Sequence, residues 1–185
     1  MKIIETPIPG LLIIEPRVFA DERGYFFESY NQNEFVENGL ISSFVQDNES
    51  KSRRGVIRGL HYQLAPYGQA KLIRVVLGTV YDVAVDLREG SPTFGKWHGL
   101  EISAENKKQF YIPKGFAHGF SVLSEEAVFS YKCDAFYTPS ADRGIRLDDP
   151  ALAIDWRIPF DEAVISGKDM THPCLADAEM NFKFE

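Results

Sequence analysis

Apolar residues along the chain recur mainly in short alternating runs, with little of the spacing that marks helices. The sharpest run is Val80-Tyr81-Asp82-Val83-Ala84-Val85-Asp86-Leu87. Tyr81, Val83, Val85 and Leu87 share one face of it, while Asp82 and Asp86 share the other. Further β-type runs fall at 11–15, 25–30, 44–47, 55–63, 71–77, 97–103, 109–112, 119–123 and 128–133, punctuated by Gly and Pro. Val76-Leu77-Gly78-Thr79-Val80 reads as two strands joined by a tight glycine turn. One segment, 32–38, has a helix signature, with Asn31 as its cap and Gly39 as its stop. Many short strands with few helices predict a mostly β sandwich or barrel. The last quarter is less regular and is expected to wrap the outside in turns and a short helix. No repeat or linker interrupts the sequence, so one domain is expected over 1–185.

The 185 residues suffice for one substantial core, and 44% hydrophobic with 25% charged residues is an ordinary soluble balance. No apolar run approaches the roughly 20 residues of a membrane helix. The start, Met1-Lys2-Ile3-Ile4-Glu5-Thr6-Pro7, lacks a signal-peptide layout. Cys133 and Cys174 make no disulfide framework, so a cytoplasmic protein with reduced thiols is expected. A net charge of −7 argues against nucleic acid as a partner. An anionic small molecule stays open, because Arg53, Arg54, Arg58, Lys71 and Arg74 lie in one short segment.

Four histidines are present. His61 lies in a strand pattern and His118 follows a Pro- and Gly-shaped turn, whereas His98 and His172 have no supporting context. A half-buried structural histidine is the competing reading for His61 and His118 and the expected one for His98 and His172. Lys71 opens a strand whose Ile73, Val75 and Leu77 share its face, which is costly unless the ammonium is paired, functional or reaches solvent. Tyr131 alternates with Phe129 and Cys133, which is more often the pattern of a core tyrosine with a hydroxyl partner. Asp169 reads as a solvated loop acid. His61 and His118 could both serve a metal, but a third ligand is needed. The strand offers Gln63 where a second histidine would complete a His-x-His pair, so no metal is expected.

Taken as a set, these residues resemble a known family. Phe19-Ala20-Asp21-Glu22-Arg23-Gly24-Tyr25-Phe26-Phe27-Glu28, Gln46-Asp47-Asn48, Arg58-Gly59-Leu60-His61-Tyr62-Gln63, Lys71-Leu72-Ile73-Arg74-Val75-Val76 and Asp82-Val83-Ala84-Val85-Asp86-Leu87-Arg88 are followed by Ser91-Pro92-Thr93-Phe94-Gly95, Ile112-Pro113-Lys114-Gly115-Phe116-Ala117-His118-Gly119-Phe120 and Tyr131-Lys132. In this order they resemble the dTDP-4-dehydrorhamnose 3,5-epimerase family, over residues 9–169.

The resemblance implies a cupin-type jelly roll, a homodimer, no cofactor, and a dTDP-linked 4-keto-6-deoxyhexose as substrate, on the route to activated L-rhamnose. By matched position His61 is the implied base, oriented by Asp169, and Tyr131 the acid. Lys71 would lie beside the ketone oxygen, and His118, held by Asp82, would line the pocket. Arg23, Phe26, Glu28, Gln46, Asn48, Arg58 and Lys168 match positions that hold the nucleotide and phosphates, with residues 23–28 reaching in from the partner subunit. Phe26 or Tyr137 would stack on thymine.

Two points fit less smoothly. Strict alternation puts Arg58 and His61 on opposite strand faces, so both serve one site only through a bulge or a neighbouring subunit. Phe136 stands where a second tyrosine is expected beside Tyr137. The competing functions are a single-carbon epimerase of a related keto sugar, a metal-dependent cupin enzyme and a non-catalytic sugar-binding cupin.

Overall fold

Alternation as regular as that of 80–87 builds a strand with two distinct faces, and the fold buries both. The computed structural model of the protein describes residues 1–40 and 43–184. The N-terminal strands are β1 (Lys2–Glu5), β2 (Leu12–Glu15), β3 (Phe19–Asp21) and β4 (Gly24–Phe26), followed by helix α1 (Gln32–Glu37). The central strands are β5 (Gln46–Arg53), β6 (Val56–Gln63), β7 (Lys71–Leu77), β8 (Thr79–Asp86), β9 (Trp97–Ser103), β10 (Gln109–Ile112), β11 (Phe116–Val122) and β12 (Glu126–Cys133). The last elements are β13 (Asp142–Gly144), β14 (Val164–Ile165) and helix α2 (Gly167–Met170).

Two six-stranded sheets result. One runs β1-β2-β10-β7-β12-β5, the other β13-β6-β11-β8-β9 with β14 beside β6, and β3 and β4 form a separate hairpin. They face each other as the expected jelly roll. Between them pack Ile73, Val75, Phe110 and Phe129 from the first sheet against Val80, Ala84, Ile102 and Phe120 from the second. The Phe120 and Phe129 rings stack with centroids 4.0 Å apart, tying β11 to β12 across the interior. Each of these buried side chains of valine size or larger contributes about 1.5–3 kcal/mol. The outer face of β8, with Tyr81, Val83 and Val85, is covered by Leu147, Leu152, Trp156 and Phe182 of the C-terminal quarter. This is the expected outer wrap. On the other side α1 covers the first sheet, seating Phe35 against Ile14, Leu72 and Tyr111.

Helix α1 forms where expected, with the Asn31 side chain accepting from the Asn33 and Glu34 amides. Gly78 does join two strands, but they do not form a hairpin: β7 pairs with β10 and β12, and β8 with β9 and β11. The turn carries the chain from one sheet to the other. The expected strand at 44–47 lies further on, as β5. Its half-buried face is Gln46, Asn48, Ser50 and Ser52, which no hydrophobic pattern can reveal. The run at 25–30 keeps only the short β4.

The problem of Arg58 and His61 is solved inside β6. His118 pairs with His61 and Phe120 with Arg58, so three steps on β6 oppose two on β11. This β-bulge turns both side chains toward one side. Gly59 makes it possible, with φ +125° and its backbone pressed on β11. A Cβ there would stand 2.5 Å from the Gly119 Cα and 2.8 Å from the His118 carbonyl.

Candidate active site

Where the sheets splay apart, a cavity of about 720 Å³ opens between β5, β7 and β12 on one side and β6 and β11 on the other. The segment from Val164 to Asp169 closes its end. His61, Lys71, Tyr131, Asp169, Asn48, Arg58, His118, Tyr137 and Lys168 all contribute to its wall.

The His61–Asp169 pair joins β6 to α2. His61 Nε2 lies 2.8 Å from Asp169 Oδ1, and the Gly59 amide donates to Oδ2 at 3.4 Å. Ser166 caps α2, its hydroxyl accepting from the Asp169 amide. Asp169 is only 4% exposed, whereas the His61 side chain is 36% exposed. Burial alone would raise the Asp169 carboxyl, but the hydrogen bond from His61, the attraction of the imidazole whenever it is protonated, and the Gly59 amide outweigh it and hold the carboxyl below its ordinary range. Asp169 is therefore held ionised, hydrogen-bonded to the imidazole.

Tyr131 stands on β12 opposite Asn48 of β5. Burial pushes its phenol up, and the hydrogen bond from Asn48 only partly offsets this, so it keeps its proton near neutrality. Lys71, at the start of β7, lies with its Nζ 5.7 Å from the Tyr131 ring centroid. Burial pushes its ammonium down against the attraction of Cys133, Asp82 and Asp142. Behind these groups His118 Nε2 sits 3.1 Å from both Asp82 oxygens, and Asp82 is fully buried. Burial drives that pair toward its uncharged forms, raising Asp82 and lowering His118.

The cationic side chains of the wall have partners within the chain. Arg58 donates to Ser52 Oγ at 3.1–3.2 Å. Lys168 Nζ donates to Asp142 Oδ2 at 2.6 Å, and the Tyr137 hydroxyl to the same oxygen at 3.3 Å. Gln46 does not line the cavity but braces its rim, donating to Asn48 Oδ1 and accepting from the Tyr137 amide.

Other expected residues lie apart. Arg23, near the tip of the β3–β4 hairpin, pairs with Asp21 at 2.6 Å. Phe26 is 65% exposed, and Glu28 accepts from Asn31 beside α1. Among the described residues none of the three lines the cavity of its own chain.

This constellation can be set beside known proteins. The family profile described as dTDP-4-dehydrorhamnose 3,5-epimerase matches residues 5–177. The chain belongs to that family. The Shigella flexneri protein named dTDP-4-dehydrorhamnose 3,5-epimerase is 55% identical over 180 residues, covering 97% of this chain and 98% of its own. A Legionella pneumophila dTDP-6-deoxy-D-glucose-3,5-epimerase, solved with dTDP-4-keto-L-rhamnose, has a TM-score of 0.91 and 51% identity, covering 95% of this chain and 93% of that one. A 3'-monoepimerase from Streptomyces bikiniensis, solved with dTDP-quinovose, has a TM-score of 0.86 and 34% identity, covering 92% and 86%.

In this epimerase-family chain two residues near the His61–Asp169 pair escaped sequence reading. Asp142 anchors both Lys168 and Tyr137, yet nothing in its local sequence distinguishes it from a surface acid. His172, expected to be a structural histidine without context, lies against the dyad, its Nε2 3.9 Å from Asp169 Oδ1. Its position three residues after Asp169 was a signal only once Asp169 had been placed. Phe136 is exposed and outside the cavity wall.

Proposed function

We propose that the chain epimerises a dTDP-linked 4-keto-6-deoxyhexose at C3 and C5 by deprotonation and reprotonation beside the ketone, without a cofactor. The carrying observation is a hydrogen-bonded His61–Asp169 pair and a protonated Tyr131 contributed to one cavity by facing sheets.

A C–H beside a ketone is acidic because its anion delocalises onto the ketone oxygen. An ammonium such as Lys71 near that oxygen stabilises the enolate by up to several kcal/mol. Asp169 holds the His61 Nε2 proton, which leaves Nδ1 free to take the substrate proton, and general base catalysis adds typically 10²–10⁴-fold. Inversion needs a proton delivered from the opposite face. Tyr131, on the opposite sheet with its pKa raised, suits that role. Arg58, Lys168 and Asn48 are assigned to the diphosphate and nucleotide, with Tyr137 against thymine.

The same reading assigns Arg23, Phe26 and Glu28 to the cavity of a second subunit. It is supported by an exposed hairpin carrying aromatic residues away from its own cavity. A homodimer in scattering measurements, and loss of nucleotide binding in Arg23→Ala, are the expected outcomes. A cytoplasmic setting is proposed with it, supported by the unpaired thiols of Cys133 and Cys174.

The test is proton NMR of dTDP-4-keto-6-deoxyglucose in D₂O with EDTA-treated protein. Deuterium at both C3 and C5 is expected. Exchange at one carbon would assign a single-carbon epimerase, and none with folded protein would overturn the reading.

A further inference from the structure

His172 has no part in the proton transfers or nucleotide contacts proposed above, yet it is held firmly beside them. Its Nε2 is closed to solvent and has no hydrogen-bond partner among the described residues. The ring lies over Gly144, where any Cβ would run into it, and packs edge-on to His61 with centroids 5.7 Å apart at 78°. Asp169 Oδ1 lies 2.8 Å from His61 Nε2 and 3.9 Å from His172 Nε2. One donor atom from each of the three residues falls within 4.8 Å of the others. The second carboxylate oxygen is engaged by the Gly59 amide. Such an outer hydrogen bond steadies a carboxylate as it does in metal sites.

We propose that His61, Asp169 and His172 form a binding site for a borderline divalent cation of the Zn²⁺ type, and that its occupancy switches the base off. Two imidazole nitrogens and one carboxylate oxygen form a ligand set such ions accept with a position left open, whereas Mg²⁺ and Ca²⁺ favour oxygen alone. Around tetrahedral zinc, with bonds of about 2.0–2.2 Å, donor atoms stand about 3.3 Å apart. The observed 2.8 and 3.9 Å bracket that spacing, so donor shifts of about 1 Å close the set. His61 is the exposed member, which gives the ion its route in from the cavity and its open position. An ion at His61 Nε2 takes the place of the proton shared with Asp169, and the neutral imidazole then carries its proton on Nδ1, the nitrogen assigned to the substrate proton, so the base is blocked. The switch rests on the proposed epimerase reading; the binding does not.

Protein stripped with EDTA and dialysed is titrated with Zn²⁺ by calorimetry, and with Co²⁺ followed by visible absorption. One equivalent of Zn²⁺ and the d–d bands of a nitrogen-ligated Co²⁺ site are expected. His172→Gln should weaken Zn²⁺ at least tenfold, while His98→Gln, on β9, should match the parent. Should His172→Gln not fold, ¹⁵N shifts of the parent's histidine rings read the ligands directly, with two of four rings moving. Absence of stoichiometric binding, equal binding by His172→Gln, or movement of other rings overturns the site. Deuterium exchange into the keto sugar should stop with Zn²⁺ and return with EDTA. Binding with undiminished exchange overturns the switch. Absence of exchange in the stripped protein overturns the epimerase reading instead, and calorimetry still decides the site.

Discussion

Asp169→Asn removes one charge while nearly preserving shape, and so isolates what the carboxylate does for His61. Two full charges 2.8 Å apart attract by about 6 kcal/mol at an effective dielectric constant near 20. The His61 ring is 36% exposed and spreads its charge, which cuts the value to about half. Losing about 3 kcal/mol of imidazolium stabilisation slows proton abstraction about a hundredfold. Hydrogen bonding adds to this. The carboxylate accepts from both His61 and the Gly59 amide, but a carboxamide accepts from only one and turns its NH₂ on the other. If the NH₂ faces His61, the ring tautomer reverses and the free nitrogen is no longer a base. An analogous change in serine-protease triads costs about 10⁴-fold. A loss of about 10²–10⁴-fold is therefore expected in deuterium exchange at C3 and C5, with nucleotide affinity retained. One compromised buried hydrogen bond costs about 1–3 kcal/mol, lowering the melting temperature by about 2–10 °C. Exchange within fivefold of the parent, at an unchanged melting temperature, would refute the orienting role.

The remaining expectations are shorter. In Tyr131→Phe the base still removes a proton and returns a solvent-derived one to the same face. NMR should therefore show deuterium uptake with inversion reduced about 10²-fold or more, and inversion at the parent rate would remove Tyr131 as the acid. Gly59→Ala forces a side chain into β11 at φ +125°, so strain of about 1–3 kcal/mol and the clash should lower the melting temperature and weaken both nucleotide binding and exchange. A variant indistinguishable from the parent would mean that the bulge does not set the site. Burial holds Lys71 below its ordinary 10.5 and Tyr131 above its ordinary 10.0. Since the ammonium is the active form, kcat/KM should fall as pH rises through the depressed Lys71 value. Residual activity in Lys71→Arg should lose that limb, because a guanidinium stays charged; a limb that stays belongs to another group.

The strands of the sandwich were legible wherever each had an apolar face, as in β7, β8, β9 and β12. Legibility failed where function displaced that face. β5 turns Asn48 and Ser50 to the cavity and Ser52 to Arg58, so its pattern is polar throughout and its position was read too early. The motif order singled out His61, Lys71, Tyr131 and Asp169, which the structure brings to one cavity wall, and alternation correctly flagged a conflict between Arg58 and His61. Its resolution needed the register of β6 against β11, a pairing between segments about 60 residues apart. Asp142 and His172 stayed hidden for a similar reason. Their meaning lies in contacts with α2, and no local spacing encodes those.

The long-range pairing of the cavity strands bears on how the protein folds. Asn48 meets Tyr131, and His61 meets both His118 and Asp169, so every wall joins segments far apart along the chain. Loop-closure entropy must be overcome before any of these pairings stabilises the product, which makes such topologies slow to fold. During synthesis β6 and β7 emerge well before β11, β12 and α2, leaving apolar strand edges to wait for their partners. No short stretch of the chain contains His61, Tyr131 and Asp169 together. The cavity wall that joins His61, Asp169 and Tyr131 is thus completed late, and truncation before α2 removes Asp169 and leaves His61 without its partner.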